Sequence, residues 1–129
     1  MGTGVYLGGT NRHHSISDNL PNLTDSYQFA HGFFGDRGDS TKVRTRHITS
    51  NNPIKTSKDF YRKIAYGAIE KNLPNNKGKV AKLKDGTIIT YREISSSDGS
   101  PAVDINIKKS TDSKDVKQQK IHFIKKGKK

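Results

Sequence analysis

The stretch Lys82-Leu83-Lys84-Asp85-Gly86-Thr87-Ile88-Ile89-Thr90-Tyr91-Arg92 decides the fold. Asp85-Gly86 stands between two segments rich in branched and aromatic residues, and Asp-Gly supplies the backbone geometry a tight hairpin turn requires. This predicts a strand over residues 80–83, a turn over 84–86 and a returning strand over 87–93. Side chains alternate between the two faces of a strand, so burying Ile89 and Tyr91 turns Thr90 and Arg92 the other way. Further along, Val103, Ile105 and Ile107 form the apolar set of a strand over 102–108, which leaves Asp104 and Asn106 on the opposite face. Ile121 and Phe123 do the same for a strand over 118–124, leaving Lys120 and His122 opposite. One antiparallel sheet made of these segments carries Thr90, Arg92, Asp104, Asn106, Lys120 and His122 on its open face.

Upstream of the hairpin, Phe60, Tyr61, Ile64, Ala65, Ala68 and Ile69 recur at three- and four-residue spacing. That stripe predicts an amphipathic helix over about 57–72, capped by Thr56 or Ser57 behind Pro53 and ended by Leu73-Pro74-Asn75-Asn76. Gly67 falls inside it, at a cost of about 1 kcal/mol relative to alanine. Residues 1–55 are rich in Gly, Asn, Ser and Thr, with Gly8-Gly9, Gly35-Asp36 and Asp39-Ser40 as turns and a short helix expected over about 25–31. Residues 94–101 and 109–117 read as polar loops, and 125–129 as a basic tail. The fold class is α+β. A helical and irregular N-terminal segment (1–55) packs with a core (56–129) of one helix and an antiparallel sheet of about four strands, within a single domain.

The chain has 129 residues, of which 29% are hydrophobic, so only a small core is available. The net charge is +12, and it is one-sided: residues 1–51 carry +1 and residues 52–129 carry +11. A basic half that is also the sheet half points to a polyanionic partner, whether nucleic acid, anionic membrane or acidic protein. A merely solvated surface is the plain alternative. No apolar run approaches the ~20 residues a bilayer span needs, and no stretch has the pattern of a signal peptide. With no cysteine, a disulfide framework, a thiol nucleophile and a Cys-ligated zinc site are excluded.

The open face carries the groups that metal-independent RNA cleavage uses. A free imidazole titrates near neutrality, so that of His122 can take a proton from a ribose hydroxyl. Arg92 and Lys120 can stabilise charge developing on phosphate. Asp104 can orient the imidazole, and Thr90 can hydrogen-bond the phosphate. Ser95, Ser96 and Ser97 can wrap it with hydroxyls and backbone N–H groups, with Asn106 and Tyr91 completing the substrate contacts. Each has an ordinary reading beside this one: a surface histidine, a cross-strand ion pair between Arg92 and Asp104, a serine-rich loop. His13-His14, His31 and His47 match no zinc spacing, so no cofactor is expected. Only Asp98 and Asp104 would serve a two-metal nuclease.

The ordered series formed by 82–92, then Ser95-Ser96-Ser97-Asp98-Gly99-Ser100-Pro101-Ala102-Val103-Asp104-Ile105-Asn106-Ile107, then Gln119-Lys120-Ile121-His122-Phe123 resembles the C-terminal toxin domains of bacterial polymorphic toxins, including contact-dependent growth inhibition effectors. The resemblance spans about a third of the chain, 79–123. It implies a secreted antibacterial ribonuclease that acts in the cytoplasm of target bacteria, attacks transfer RNA and is neutralised by a cognate immunity protein. It also implies a helix-plus-sheet fold of the barnase, colicin or RelE kind. Some such tRNases engage elongation factor Tu. The alternatives from the residues themselves are a non-catalytic module that binds RNA or an acidic protein, and a metal-dependent DNase.

Overall fold

The computed structural model describes residues 14–37, 41–95 and 99–126. Two four-residue helices, α1 (Ile16–Asn19) and α2 (Pro21–Thr24), lead into a two-stranded ribbon, β1 (Phe29–Ala30) with β2 (Phe33–Phe34). Then come β3 (Thr45–Ser50), α3 (Pro53–Ile64), β4 (Ile69–Asn72), β5 (Gly78–Lys82), β6 (Ile88–Arg92), β7 (Ala102–Asn106) and β8 (Gln119–Lys125). Among the described residues, β3 to β8 form one sheet in the order β3-β8-β7-β6-β5-β4. Every neighbouring pair is antiparallel except β3 and β8, which run parallel.

The α+β class stands, but the sheet is larger than the four strands expected, and mixed rather than wholly antiparallel. Both additions lie at the edges. At one edge, Thr45-Arg46-His47-Ile48-Thr49-Ser50 pairs with β8, so the segment expected to be loop-rich supplies an edge strand. At the other, Ile69–Asn72 pairs with β5 instead of continuing the helix. The short helix expected over 25–31 is absent, and that span holds turns and β1.

The helix begins earlier than the stripe suggested. Asn52 caps it, its side-chain oxygen accepting from the Lys55 N–H at 3.2 Å, and Pro53 occupies the first turn, where a missing N–H costs nothing. Ser57, Phe60, Tyr61 and Ile64 are its buried face. It ends because Gly67 takes a left-handed φ of +81°. The Asn19 side chain, from α1, donates to the carbonyls of Ile64 and Tyr66, both at 2.8 Å. A distant residue thus satisfies carbonyls that a longer helix would have bonded internally.

The core lies between α3 and one face of the sheet. Phe60 meets Phe34 edge-on at 4.9 Å and Phe123 at 5.5 Å, and Ile89, Val103, Ile105 and Ile121 are fully buried beneath them. Each side chain of this kind contributes about 1.5–3 kcal/mol by leaving water. Arg46 shares this face at the β3 edge, yet its guanidinium reaches the carbonyls of Phe34 and Gly35 and lies over the Phe33 ring. With α3 packed on one face, the polar residues of β3, β8, β7 and β6 are left on the other.

Candidate functional site

Strand register sets the open face. One row across the sheet runs Thr45–Lys120–Asp104–Thr90, and the next runs His47–His122–Ala102–Arg92. The register therefore places Thr90, Arg92, Asp104, Asn106, Lys120 and His122 on one side of the sheet, as the alternation predicts. Thr90, Arg92, Asp104 and Lys120, together with Ala102, line a cleft of about 460 Å³.

Asp104 is the unusual group in this cleft. Its side chain is half-buried between strands. Burial pushes its carboxyl above the ordinary range, against the pull of Lys120, Arg92 and Lys108. None of Thr90, Arg92, Asp104 and Lys120 uses its side chain in a hydrogen bond or ion pair within 4.0 Å among the described residues. The cross-strand ion pair between Arg92 and Asp104 that would have made this face ordinary is not formed. Two cations and a hydroxyl thus surround an uncommitted carboxyl, an arrangement that can hold a phosphate and exchange a proton beside it.

His122 departs from expectation. It projects from the open face beside these groups, yet only 4% of it is exposed. The Ser100 hydroxyl lies 3.0 Å from its Nδ1, and the His47 ring stands 6.0 Å away at 58°. Its neighbours on this face, not the core, enclose it. Alternation on a strand fixes which face a residue takes, whereas exposure depends on which neighbours, here Ser100 and His47, stand beside it on that face. Ser100 is held by the Ser95 N–H on its carbonyl at 2.9 Å, and the Pro101 carbonyl accepts from Phe123 N–H at 2.9 Å. Nor is Asp104 the group that orients the ring, since Ser100 holds Nδ1.

The expected substrate contacts fare unevenly. Tyr91 is 6% exposed and faces α3, with its hydroxyl 3.4 Å from that of Ser57 and its ring 5.6 Å from Tyr61. It is a core residue. Ser95 is buried, and Ser96 and Ser97 lie outside the described residues. Asn106 is on the open face, but its side chain accepts from the Lys108 N–H at 3.0 Å and shapes the end of β7. Asp98 and His13 also lie outside the described residues, and among those described no group of three or more His, Cys, Asp or Glu is placed to hold a metal ion.

The residue missed from the sequence is His47. It had been weighed only as a metal ligand, but it sits half-exposed on the open face, paired with His122. The signal was present in the alternation of Arg46 and Ile48 against Thr45, His47 and Thr49. It was hidden because its six residues lie in a segment dominated by turn formers.

Comparison with protein-family models, curated proteins and solved structures finds no match to this chain. The likeness to barnase, colicin and RelE folds therefore has no structural match behind it. Among the described residues, no helix is long and apolar enough to cross a membrane.

Proposed function

We propose that this chain is a metal-independent ribonuclease of the antibacterial toxin kind, acting on transfer RNA and neutralised by a cognate immunity protein. The observation that carries this reading is the Asp104 carboxyl, raised in pKa and unpaired between Arg92 and Lys120 in an open cleft. In this reading Asp104, not His122, is the base. It takes the proton of a ribose 2′-hydroxyl, and the 2′-oxygen attacks the adjacent phosphorus. The bond to the 5′-oxygen breaks, that oxygen leaves with a proton from solvent, and a 2′,3′-cyclic phosphate remains. Arg92 and Lys120 stabilise the charge that gathers on the non-bridging oxygens, and Thr90 orients them. The immunity protein would present carboxylates to the same cations, as electrostatic complementarity requires.

A second reading has its own observation. With His122 enclosed, the cleft of Thr90, Arg92, Asp104 and Lys120 is lined by no imidazole, which suits a module that binds RNA or an acidic protein without cleaving it. Incubation with total RNA and plasmid DNA, with and without chelator, separates the readings. The ribonuclease shortens RNA in EDTA and leaves cyclic phosphate ends, and Asp104→Asn slows it by about 10²–10⁴-fold, the usual share of a general base. Intact RNA with tight, salt-sensitive binding would support the second reading. DNA cleavage that EDTA silences would mean a metal-dependent DNase.

A further inference from the structure

We infer that a groove between the start of α3 and the end of β8 is a second binding site for the RNA backbone, separate from the cleft; the inference rests on RNA being the ligand. The groove holds about 830 Å³ and is lined by Ser50, Asn52, Ile54, Lys55, Lys58 and Lys126, among others. The three lysines are exposed, and none of their ammonium groups is engaged in an ion pair or hydrogen bond among the described residues. The groove's carboxylate is already committed. Asp59 accepts from the Tyr27 hydroxyl at 2.6 Å and pairs with Arg62 at 2.6 Å and Lys63 at 3.2 Å. What remains is a cationic channel whose one acidic group is neutralised.

The chemistry of the lining favours a single nucleic-acid strand over other polyanions. Lys55 and Lys58 stand one helical turn apart on the same side of α3, positioned for neighbouring phosphates. Ile54, 42% exposed, offers an aliphatic surface beside them, and sites for single strands track the backbone with a positively charged groove. The β8 segment links the groove to the cleft. Lys120 lines the cleft and Lys126 the groove, at opposite ends of β8. Six residues of strand at about 3.3 Å each separate them by about 20 Å, the rise of about six stacked nucleotides. An RNA seated at Lys120 reaches the groove only when it is longer than this.

The test is fluorescence anisotropy with non-cleavable 2′-O-methyl RNAs, one of about four and one of about twenty nucleotides, across a salt series. The double variant Lys55→Gln/Lys58→Gln, which changes only exposed side chains, is expected to bind the longer RNA about 10-fold more weakly near 0.1 M salt, with the log–log salt slope reduced by about 1.4. The shorter RNA is expected to bind both proteins alike. Unchanged affinity and slope for the longer RNA would overturn the site. Loss of binding to poly-glutamate with RNA binding intact would also overturn it and assign the groove to an acidic protein. Because these probes are never cleaved, the result stands apart from whether the cleft is catalytic.

Discussion

A carboxylate half-buried between strands, with no hydrogen bond among the described residues, costs the fold free energy whenever it is charged. Asp104 is such a group, and the sign of its pH dependence follows from its raised pKa. Its favourable contribution is complete below the unfolded pKa and is lost as pH rises through the folded one. Asp104→Asn removes that loss. The variant is expected to match the wild type in acid and to exceed it in stability at neutral pH, by a margin that opens across the carboxyl's titration; urea melts at a series of pH values measure it. Cleavage by the wild type should climb over the same interval, because only the ionised carboxyl accepts a proton. A variant less stable at neutral pH would show that Asp104 holds the sheet together and is not a strained functional group. His122 gives the opposite expectation. It is enclosed and hydrogen-bonded to Ser100, so His122→Ala should lower stability by about 1–3 kcal/mol, read as a fall in Tm. An unchanged Tm would mean that the ring is freely exposed.

Elements read differently according to where their determinants lie. The Asp85-Gly86 hairpin and the two strands after it were legible because a turn signal and an alternation sit within a few residues of each other. Gly86 takes a φ of +99°, and a side chain there would run into the Lys109 carbonyl. The helix was legible at its core and misread at both ends. Ala68 and Ile69 continue its periodicity, and only the turn at Gly67 and the distant Asn19 side chain stop it. Gly67→Ala tests this point. Its left-handed backbone disfavours any Cβ, and that Cβ would stand 2.7 Å from the His14 ring. The substitution should cost about 1–2 kcal/mol, measured by denaturant unfolding. A neutral effect would show that the helix can continue through residue 67.

Across the whole molecule, buried polar groups tie segments that are far apart in the chain. The Asp85 carboxylate, 5% exposed, accepts from Ile16 N–H at 3.2 Å, Thr87 hydroxyl at 2.6 Å and the Ser110 hydroxyl, while its backbone carbonyl accepts from Thr111 N–H at 2.8 Å. It joins α1, the hairpin and the loop before β8. Gln119 makes a similar junction, accepting from Phe34 N–H at 2.9 Å and donating to the carbonyls of Gly32 and Lys117. In a chain with so small an apolar fraction these junctions replace part of the missing core. Asp85→Ala leaves several donors unpaired and should cost about 3 kcal/mol, seen as a large drop in the urea midpoint. A shift of a few tenths would mean that water takes the aspartate's place readily.

Local pattern determined the class of fold, the central strands and the side of the sheet that each polar residue takes, because alternation and turn chemistry act over a handful of residues. It also determined the cationic character of the C-terminal half, which is a sum over side chains and needs no coordinates. Only tertiary structure decided that Asn19 ends the helix, that β3 lies parallel to β8 and brings His47 beside His122, and that Tyr91 belongs to the core. It alone decided, too, that the histidine is enclosed while the aspartate stays open. Those outcomes depend on which distant segments meet, and burial is a property of the neighbours a residue acquires, not of the residue itself.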